Sequence, residues 1–240
     1  MFEDRVPHHV AITPDGNGRW AQRRGLPRSE GHRRGARALQ DVIGGALGLG
    51  VRFLSLHAFS TENWKRPASE VADLMDVYAD YLAAHRTYFQ NQGVRVRLLG
   101  SRHRIPDRLV REIETAEQVT RSNDRLTFVM CVDYGGRSDL LRAVDRIAED
   151  ARNGTLPDAP LDERTFARYL NRFDLPDVDL LLRSGGETRT SNFYLWQTAF
   201  SELAFLDKPW PDVTAEDLRQ AVSRYASRER TLGGLGRQGR

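Results

Sequence analysis

Cysteine is almost missing from this chain: Cys131 is the only one in 240 residues. A lone thiol excludes an intrachain disulfide and fits a reducing compartment. Its place in the apolar run Leu126–Val132 marks it as a buried, inert thiol rather than a nucleophile. Long apolar runs are missing too. The nearest, Val42–Phe59, contains Arg52 and several glycines, so nothing here spans a bilayer, and Met1–His9 lacks the apolar centre of a secretory signal. The expectation is a soluble, cytoplasmic protein, peripheral at a membrane at most. Lysine is scarce as well: only Lys65 and Lys208 occur among 36 basic residues, the rest being arginine, and the formal net charge is +3. The basic runs Arg33-Arg34, Arg102-His103-Arg104 and Arg108/Arg111 are not interleaved with aromatics. No helix-turn-helix, RRM or zinc-finger pattern is present, so these runs read as solvated helix faces rather than a nucleic-acid-binding module. There is no internal repeat and no low-complexity linker. A chain of 240 residues, 40% hydrophobic, can bury one sizeable core. It is read as one domain over 1–240 with short flexible ends, about 1–8 and 234–240.

What the chain does contain is an alternation of apolar, β-rich runs with helix-period segments. The predicted strands are Val10–Thr13, Val51–Phe59, Val94–Leu99, Leu126–Asp133, Val178–Arg183 and Leu203–Leu206. The predicted helices are Gly31–Leu49, Glu70–Gln92, Pro106–Ser122, Arg137–Asn153, Thr165–Phe173 and Ala215–Arg230, the last capped by Thr214, with a Pro/Asp-rich connection over Asn153–Glu163. Strands buried on both faces between helices predict an α/β fold with a mainly parallel six-stranded sheet flanked by helices. Ligands of such sheets lie beyond the carboxyl ends of the strands.

Two polar clusters fall at such ends. Asp15-Gly16-Asn17-Gly18-Arg19-Trp20 follows Val10-Ala11-Ile12, and Arg183-Ser184-Gly185-Gly186-Glu187-Thr188-Arg189-Thr190-Ser191-Asn192 follows the run from Val178 to Leu182. Glycines let the backbone approach a ligand, successive N–H groups make an anion cradle, and arginines add fixed cations. Asp15 suits the divalent metal that accompanies a diphosphate. Alone, the first cluster reads equally as a plain strand-to-helix turn with a solvated charge. Two such loops at strand ends point to one site for two phosphorylated ligands.

The stretches HVAITPDGNGRWA, HAFSTENWKRP, DYGGRSDL and DLLLRSGGETRTSNFYLWQTAFSELAF resemble the cis-prenyltransferases, the undecaprenyl diphosphate synthase family, almost without a gap from about His9 to about Gly234. The resemblance implies a Mg²⁺-dependent homodimer that condenses isopentenyl diphosphate with an allylic diphosphate. An elongated apolar tunnel, one wall of it the Glu70–Gln92 helix, would hold the growing chain, each buried methylene gaining about 0.8 kcal/mol. The amphiphilic product implies contact with a membrane surface. For the allylic diphosphate the resemblance assigns Gly16, Asn17, Gly18 and Arg19 with Arg28, His32 and Arg66. For isopentenyl diphosphate it assigns Arg183, Arg189 and Ser191, with Thr190 and Asn192 assisting. Asp15 and Glu202 match positions associated with Mg²⁺. Asn63, beside Ser60, Thr61 and Glu62, matches the position tied to proton removal. A neutral carboxamide is a poor base, so Asn63 is read as positioning isopentenyl diphosphate or a water, with the diphosphate or Asp15 as alternative acceptors. Trp20, Phe59 and Trp64 are expected to line the allylic end, where aromatic faces favour a developing cation.

The chain departs from the family pattern at several places. Pro14 stands where a large apolar residue is usual, Thr188 where histidine is frequent, and Asp133 where asparagine is usual. Thr231-Leu232-Gly233 replaces an Arg-x-Gly triplet thought to reach the partner subunit, with Arg230 one residue away. Product length stays open between two to four isoprene units and ten or eleven, the medium length being favoured. The rivals are a short-chain or irregular synthase that joins two allylic units, and a non-catalytic partner subunit. The intact Asp15–Arg19 loop argues against the latter.

Overall fold

The structure, a computed structural model, describes residues 6–156, 159–170 and 175–228. Six strands form one sheet: β1 (His9–Thr13), β2 (Phe53–Ser60), β3 (Val94–Gly100), β4 (Leu126–Tyr134), β5 (Leu180–Arg183) and β6 (Glu202–Phe205). Their spatial order is β3-β4-β2-β1-β5-β6, and all five pairings are parallel. The helices are α1 (Asn17–Gln22), α2 (Arg28–Leu49), α3 (Ala68–Gln92), α4 (Asp107–Val119), α5 (Gly136–Asn153), α6 (Glu163–Leu170) and α7 (Ala215–Ser227). The predicted elements all recur with shifts of a few residues. The expected helix tail at Phe173 and the segment Arg230–Gly233 lie outside the described residues, as do Pro157 and Asp158 of the long connection.

The period of two along each strand sorts its side chains onto two faces. Val10 and Ile12, Leu54 and Leu56, Phe128, Met130 and Val132, and Leu180 and Leu182 join one core, packed with residues of α2, α3, α4 and α7. Ala11, Val129, Cys131 and Leu181 face the other side, where Phe193 and Tyr194 cover them. This second layer contains a buried polar seam. Ser55 Oγ lies 2.7 Å from His9 Nε2 and accepts the Tyr194 hydroxyl at 3.0 Å, while His57 stacks on Phe193 with ring centroids 4.4 Å apart. Cys131 is fully buried and its thiol is pushed up by that burial, as expected of an inert side chain. At the amino end of the sheet, Pro7 is buried and Val6 packs on the main core. Thr214 caps α7 in a reciprocal box with Asp217.

The topology fixes where a ligand can sit. From β1 the chain proceeds to β2, β3 and β4 on one side, then crosses to β5 and β6 on the other. The direction reverses at β1, so a crevice opens beyond the carboxyl ends of β1 and β5. Thr13 and Arg183 are register partners at that point, and both polar clusters start there.

Candidate active site

Asp15 leaves the end of β1 with its backbone fixed to the opposite loop: its N–H donates to Ser184 Oγ at 2.9 Å, and Ser184 Oγ donates back to Asp15 O at 3.1 Å. Its carboxylate accepts from Arg183 Nη2 (2.9 Å) and from Gly16 N (2.6 Å), and Arg19 Nη2 stands 3.3 Å from Oδ1. Burial pushes the carboxyl up. The Arg183 hydrogen bond, the Gly16 N–H and the charges of Arg183 and Arg19 outweigh it, so the group sits below its ordinary value. The turn needs glycine at two points. Gly16 has φ +93° and a side chain there would meet Pro209 Cβ at 2.9 Å; Gly185 has φ +88° and a Cβ there would come within 3.0 Å of the Asp15 carbonyl carbon.

Around this pair lies a cavity of about 350 Å³, within the usual range for small-molecule sites. Its polar head is lined by Thr13, Asp15, Asn17, His32, Asn63, Arg66, Arg183, Arg189 and Ser191, and its body by Leu39, Leu56, Leu74, Val77, Tyr78, Tyr81 and Met130, between α2, α3 and the sheet. A side recess of about 100 Å³ is bounded by Gly16, Gly18, Arg19, Arg28, His32 and Arg66 beside Asp15. Among the described residues, six buried polar side-chain atoms lack a hydrogen-bond partner. Four of them, Thr13 Oγ1, Asn17 Oδ1, His32 Nε2 and Arg183 Nε, belong to residues lining this one cavity. These four atoms have no protein partner in the structure, and the residues that carry them line one cavity.

The two cationic sets expected from the sequence are therefore adjacent. Arg183, only 5% exposed, donates through Nη1 to Arg189 O (2.7 Å) and to Ser191 Oγ, which shapes the loop that carries Arg189 and Ser191. On the other side Arg28, Arg66 and His32 surround Glu70, which the sequence did not single out. Glu70 accepts from Arg28 Nε at 3.1 Å and from Arg66 Nη1 at 3.3 Å, and its Oε1 lies 3.7 Å from His32 Nε2, too far for a hydrogen bond. Burial raises the Glu70 carboxyl, but the arginines overcome it and hold it low. His32 is lowered to about 4, first by burial and then by the Arg66 charge. The only signal for Glu70 in the sequence was its place four residues after Arg66, in the first turn of α3.

Ser60, Thr61, Glu62 and Asn63 form the end of β2 and a 3₁₀ turn, Thr61–Lys65. Asn63 Oδ1 accepts the Ser60 N–H at 3.1 Å. A backbone N–H only donates, so the atom facing it is the oxygen, and the Asn63 amide hydrogens are left as donors. Thr61 donates to Glu62 at 3.1 Å, and Glu62 accepts from Asn192 Nδ2 at 2.8 Å. Asn192 also accepts from Gly136 N and Arg137 N, so it binds three motif loops together. Thr190 holds its loop through a backbone bond from Phe193 N and does not line the cavity.

Several expected placements are not what the structure shows. Trp20 turns away, donating its indole N–H to Asp212 Oδ1 (2.7 Å) with Arg24 4.2 Å over its ring. Phe59 is buried in the core and Trp64 packs on it, so the aromatic lining comes instead from Tyr78, Tyr81 and Trp210. Glu202 does not join Asp15. The register pairs Glu202 with Leu180, at the opposite end of β5 from Arg183, about 10 Å along the strands. There it pairs with Arg228 at 3.1 Å, so the two carboxylates share no ion within one chain. Among the described residues no group of three or more His, Cys, Asp or Glu side chains is gathered for a metal. No described helix is long and apolar enough to cross a membrane.

The parallel α/β sheet thus carries, at its switch point, a cavity with arginines at its head and an apolar body. Comparison with known proteins supplies the family. The family model described as "putative undecaprenyl diphosphate synthase" matches residues 13–233. Isoprenyl transferase 1 of Streptomyces coelicolor is 49% identical over 231 residues, covering 96% of this chain and 83% of that one. Decaprenyl diphosphate synthase of Mycobacterium tuberculosis is 49% identical over 230 residues, 96% of this chain and 78% of that one. The crystal structure of lavandulyl diphosphate synthase from Lavandula x intermedia, in complex with dimethylallyl diphosphate, superposes with a TM-score of 0.92 at 36% identity, covering 96% and 99% of the two chains. The chain belongs to the cis-prenyltransferase family and is a prenyl-transferring enzyme.

Proposed function

We propose that this protein is a Mg²⁺-dependent cis-prenyl diphosphate synthase that condenses isopentenyl diphosphate with an allylic diphosphate to a medium-chain polyprenyl diphosphate. The observation that carries the reading is a cavity whose head gathers Asp15, Arg66, Arg183 and Arg189 and whose body is apolar. The Gly16–Arg19 turn with Arg28, His32 and Arg66 holds the allylic diphosphate, and the prenyl tail runs between α2 and α3, where an elongated tunnel would continue. Arg183, Arg189 and Ser191 hold isopentenyl diphosphate, with Thr190 and Asn192 shaping that loop. The allylic C–O bond breaks, diphosphate departs, the double bond of isopentenyl diphosphate attacks, and a proton is lost to give a cis alkene. The arginines offset the charge of two neighbouring diphosphates. Asn63 orients isopentenyl diphosphate or a water through its amide hydrogens, and Ser60, Thr61, Glu62 and Trp64 hold its turn.

The donor set fits magnesium. Asp15 is kept ionised, is 31% exposed at the cavity head, and is a hard oxygen donor of the kind Mg²⁺ combines with phosphate oxygens and water. Bound there, Mg²⁺ would supply charge to the departing diphosphate. A homodimer is supported by Phe200, Leu203 and Phe205, exposed on and beside the edge strand β6. Cytoplasmic residence, peripheral contact with membranes through the product, and no nucleic-acid partner complete the reading.

The medium length rests on the decaprenyl diphosphate synthase relative. A short or irregular allylic–allylic product is the second reading, favoured by the likeness to lavandulyl diphosphate synthase and by the modest cavity. Mass spectrometry of products tests both. Purified protein is given labelled isopentenyl diphosphate with dimethylallyl, geranyl or farnesyl diphosphate, with and without Mg²⁺. A Mg²⁺-dependent ladder ending near ten units is expected. No incorporation of isopentenyl diphosphate with any primer refutes the reading.

A further inference from the structure

The turn that carries Asn63 is gripped from both sides by its neighbours. Glu62 is held by Asn192, as described above, and Trp64 points the other way. Its Nε1–H donates to Asp133 Oδ1 at 2.8 Å, its ring meets Phe59 edge-on with centroids 5.0 Å apart, and the Arg104 guanidinium stands 5.1 Å from its centroid. Asp133, near the end of β4, has no exposed side-chain surface and has φ +49°, a conformation Asp and Asn adopt more readily than other side chains. Arg104 donates to it twice, from Nε to Oδ2 at 3.0 Å and from Nη2 to Oδ1. Three donors thus converge on two oxygens, a demand that a side chain with acceptors only meets in full. Arg104 is 52% exposed, so the pair costs one buried carboxylate and no buried cation. The effect reaches the cavity in two steps: Trp64 adjoins Asn63, and the Arg66 N–H donates to Asn63 O at 3.0 Å, which ties the two lining residues through the backbone.

We propose that Asp133, charge-matched by Arg104, is a positioning residue: it locks Trp64 and thereby sets Asn63 and Arg66 at the cavity mouth. The consequence for turnover rests on the reaction proposed above; the placement of the turn does not. Four proteins are compared by hydrogen–deuterium exchange over residues 60–66 and by steady-state kinetics: wild type, the double variants R104Q/D133N and R104Q/D133G, and W64F. R104Q/D133N removes the buried charge but keeps an acceptor for Trp64, so exchange stays near wild type and kcat within about threefold. R104Q/D133G removes the acceptor while glycine tolerates the positive φ, and W64F removes the donor while leaving the ion pair. Both are expected to exchange faster over 60–66 and to lose about tenfold or more in kcat, the scale on which misplaced reacting groups cost rate. Wild-type exchange over 60–66 in these two, or faster exchange with unaltered kcat, overturns the proposal. A wild-type protein without turnover refutes the reaction instead, and the exchange comparison then decides the role of Asp133 alone.

Discussion

Asp15 and Arg183, 168 positions apart in sequence, meet at 2.9 Å across the carboxyl ends of β1 and β5. The pair does two things at once. Arg183 keeps the Asp15 carboxyl low and ionised against the effect of burial, and Asp15 neutralises a cation that is 95% withdrawn from solvent by its own measure of 5% exposure. Asp15→Asn keeps the shape and removes the charge. It is expected to lower kcat about 100-fold or more with an unchanged circular dichroism spectrum, the scale seen when a preorganised charge leaves a reacting centre. Activity within a few-fold of wild type would remove Asp15 from the centre of the mechanism.

The two cationic cradles predict separable losses. Arg66→Ala is expected to raise KM for the allylic diphosphate about tenfold, and Arg189→Ala to do the same for isopentenyl diphosphate, since a hydrogen bond to a charged group contributes about 1.5–3 kcal/mol. Initial rates with each substrate varied in turn check this. A rise in the same KM for both variants would contradict two adjacent sites.

The apolar body predicts control of product length. Val77 and Tyr81 of α3 face Leu39 of α2 and Leu56 of β2 around the cavity. Val77→Trp fills that space and is expected to shift the product ladder to shorter chains. Tyr81→Ala, which also removes a 3.3 Å bond to Gln40, is expected to lengthen it. Product masses from both variants decide, and an unchanged ladder places the growing chain elsewhere.

Acid sensitivity follows from two buried histidines, His9 and His57, and from His32, half-buried at the cavity. Burial is the leading cause that lowers His9, His32 and His57 from 6.5 to about 4 each. Between those values the unfolded chain holds protons that the folded chain does not, so stability is fully present above pH 6.5 and falls as pH drops toward 4. Each group contributes a slope of at most about 1.4 kcal/mol per pH unit in that window. Urea midpoints measured from pH 7.5 to 4.5 should decline, and His57→Phe should flatten the decline. A flat wild-type profile would contradict the burial of these rings as neutral groups.

Much of this was legible in the sequence because it is local. The alternation in Leu126–Val132 and Val10–Ile12 foretold strands buried on both faces, and the glycine-arginine loops after Ile12 and Leu182 do flank a cavity at the strand ends. What escaped depended on distant partners. The direction of Trp20 is set by Asp212, 192 residues away, and that of Trp64 by Asp133, 69 residues away. Glu70 reads as an ordinary first-turn acid until the fold brings Arg28 and Arg66 to it. The distance of Glu202 from Asp15 escaped for a related reason: its strand was expected, but only the β5–β6 register reveals that it lies at the amino end of the sheet.

In the proposed reaction two diphosphates bind side by side about Asp15, with one apolar tail between α2 and α3. A crystal structure with Mg²⁺, isopentenyl diphosphate and a non-hydrolysable thiolo analogue of farnesyl diphosphate tests it most directly. The predicted result is one diphosphate on Gly16–Arg19, Arg28, His32 and Arg66, the other on Arg183, Arg189 and Ser191, and the farnesyl chain against Leu39, Leu74 and Tyr78. Both diphosphates in a single cradle, or a farnesyl chain outside that cavity, would contradict the account.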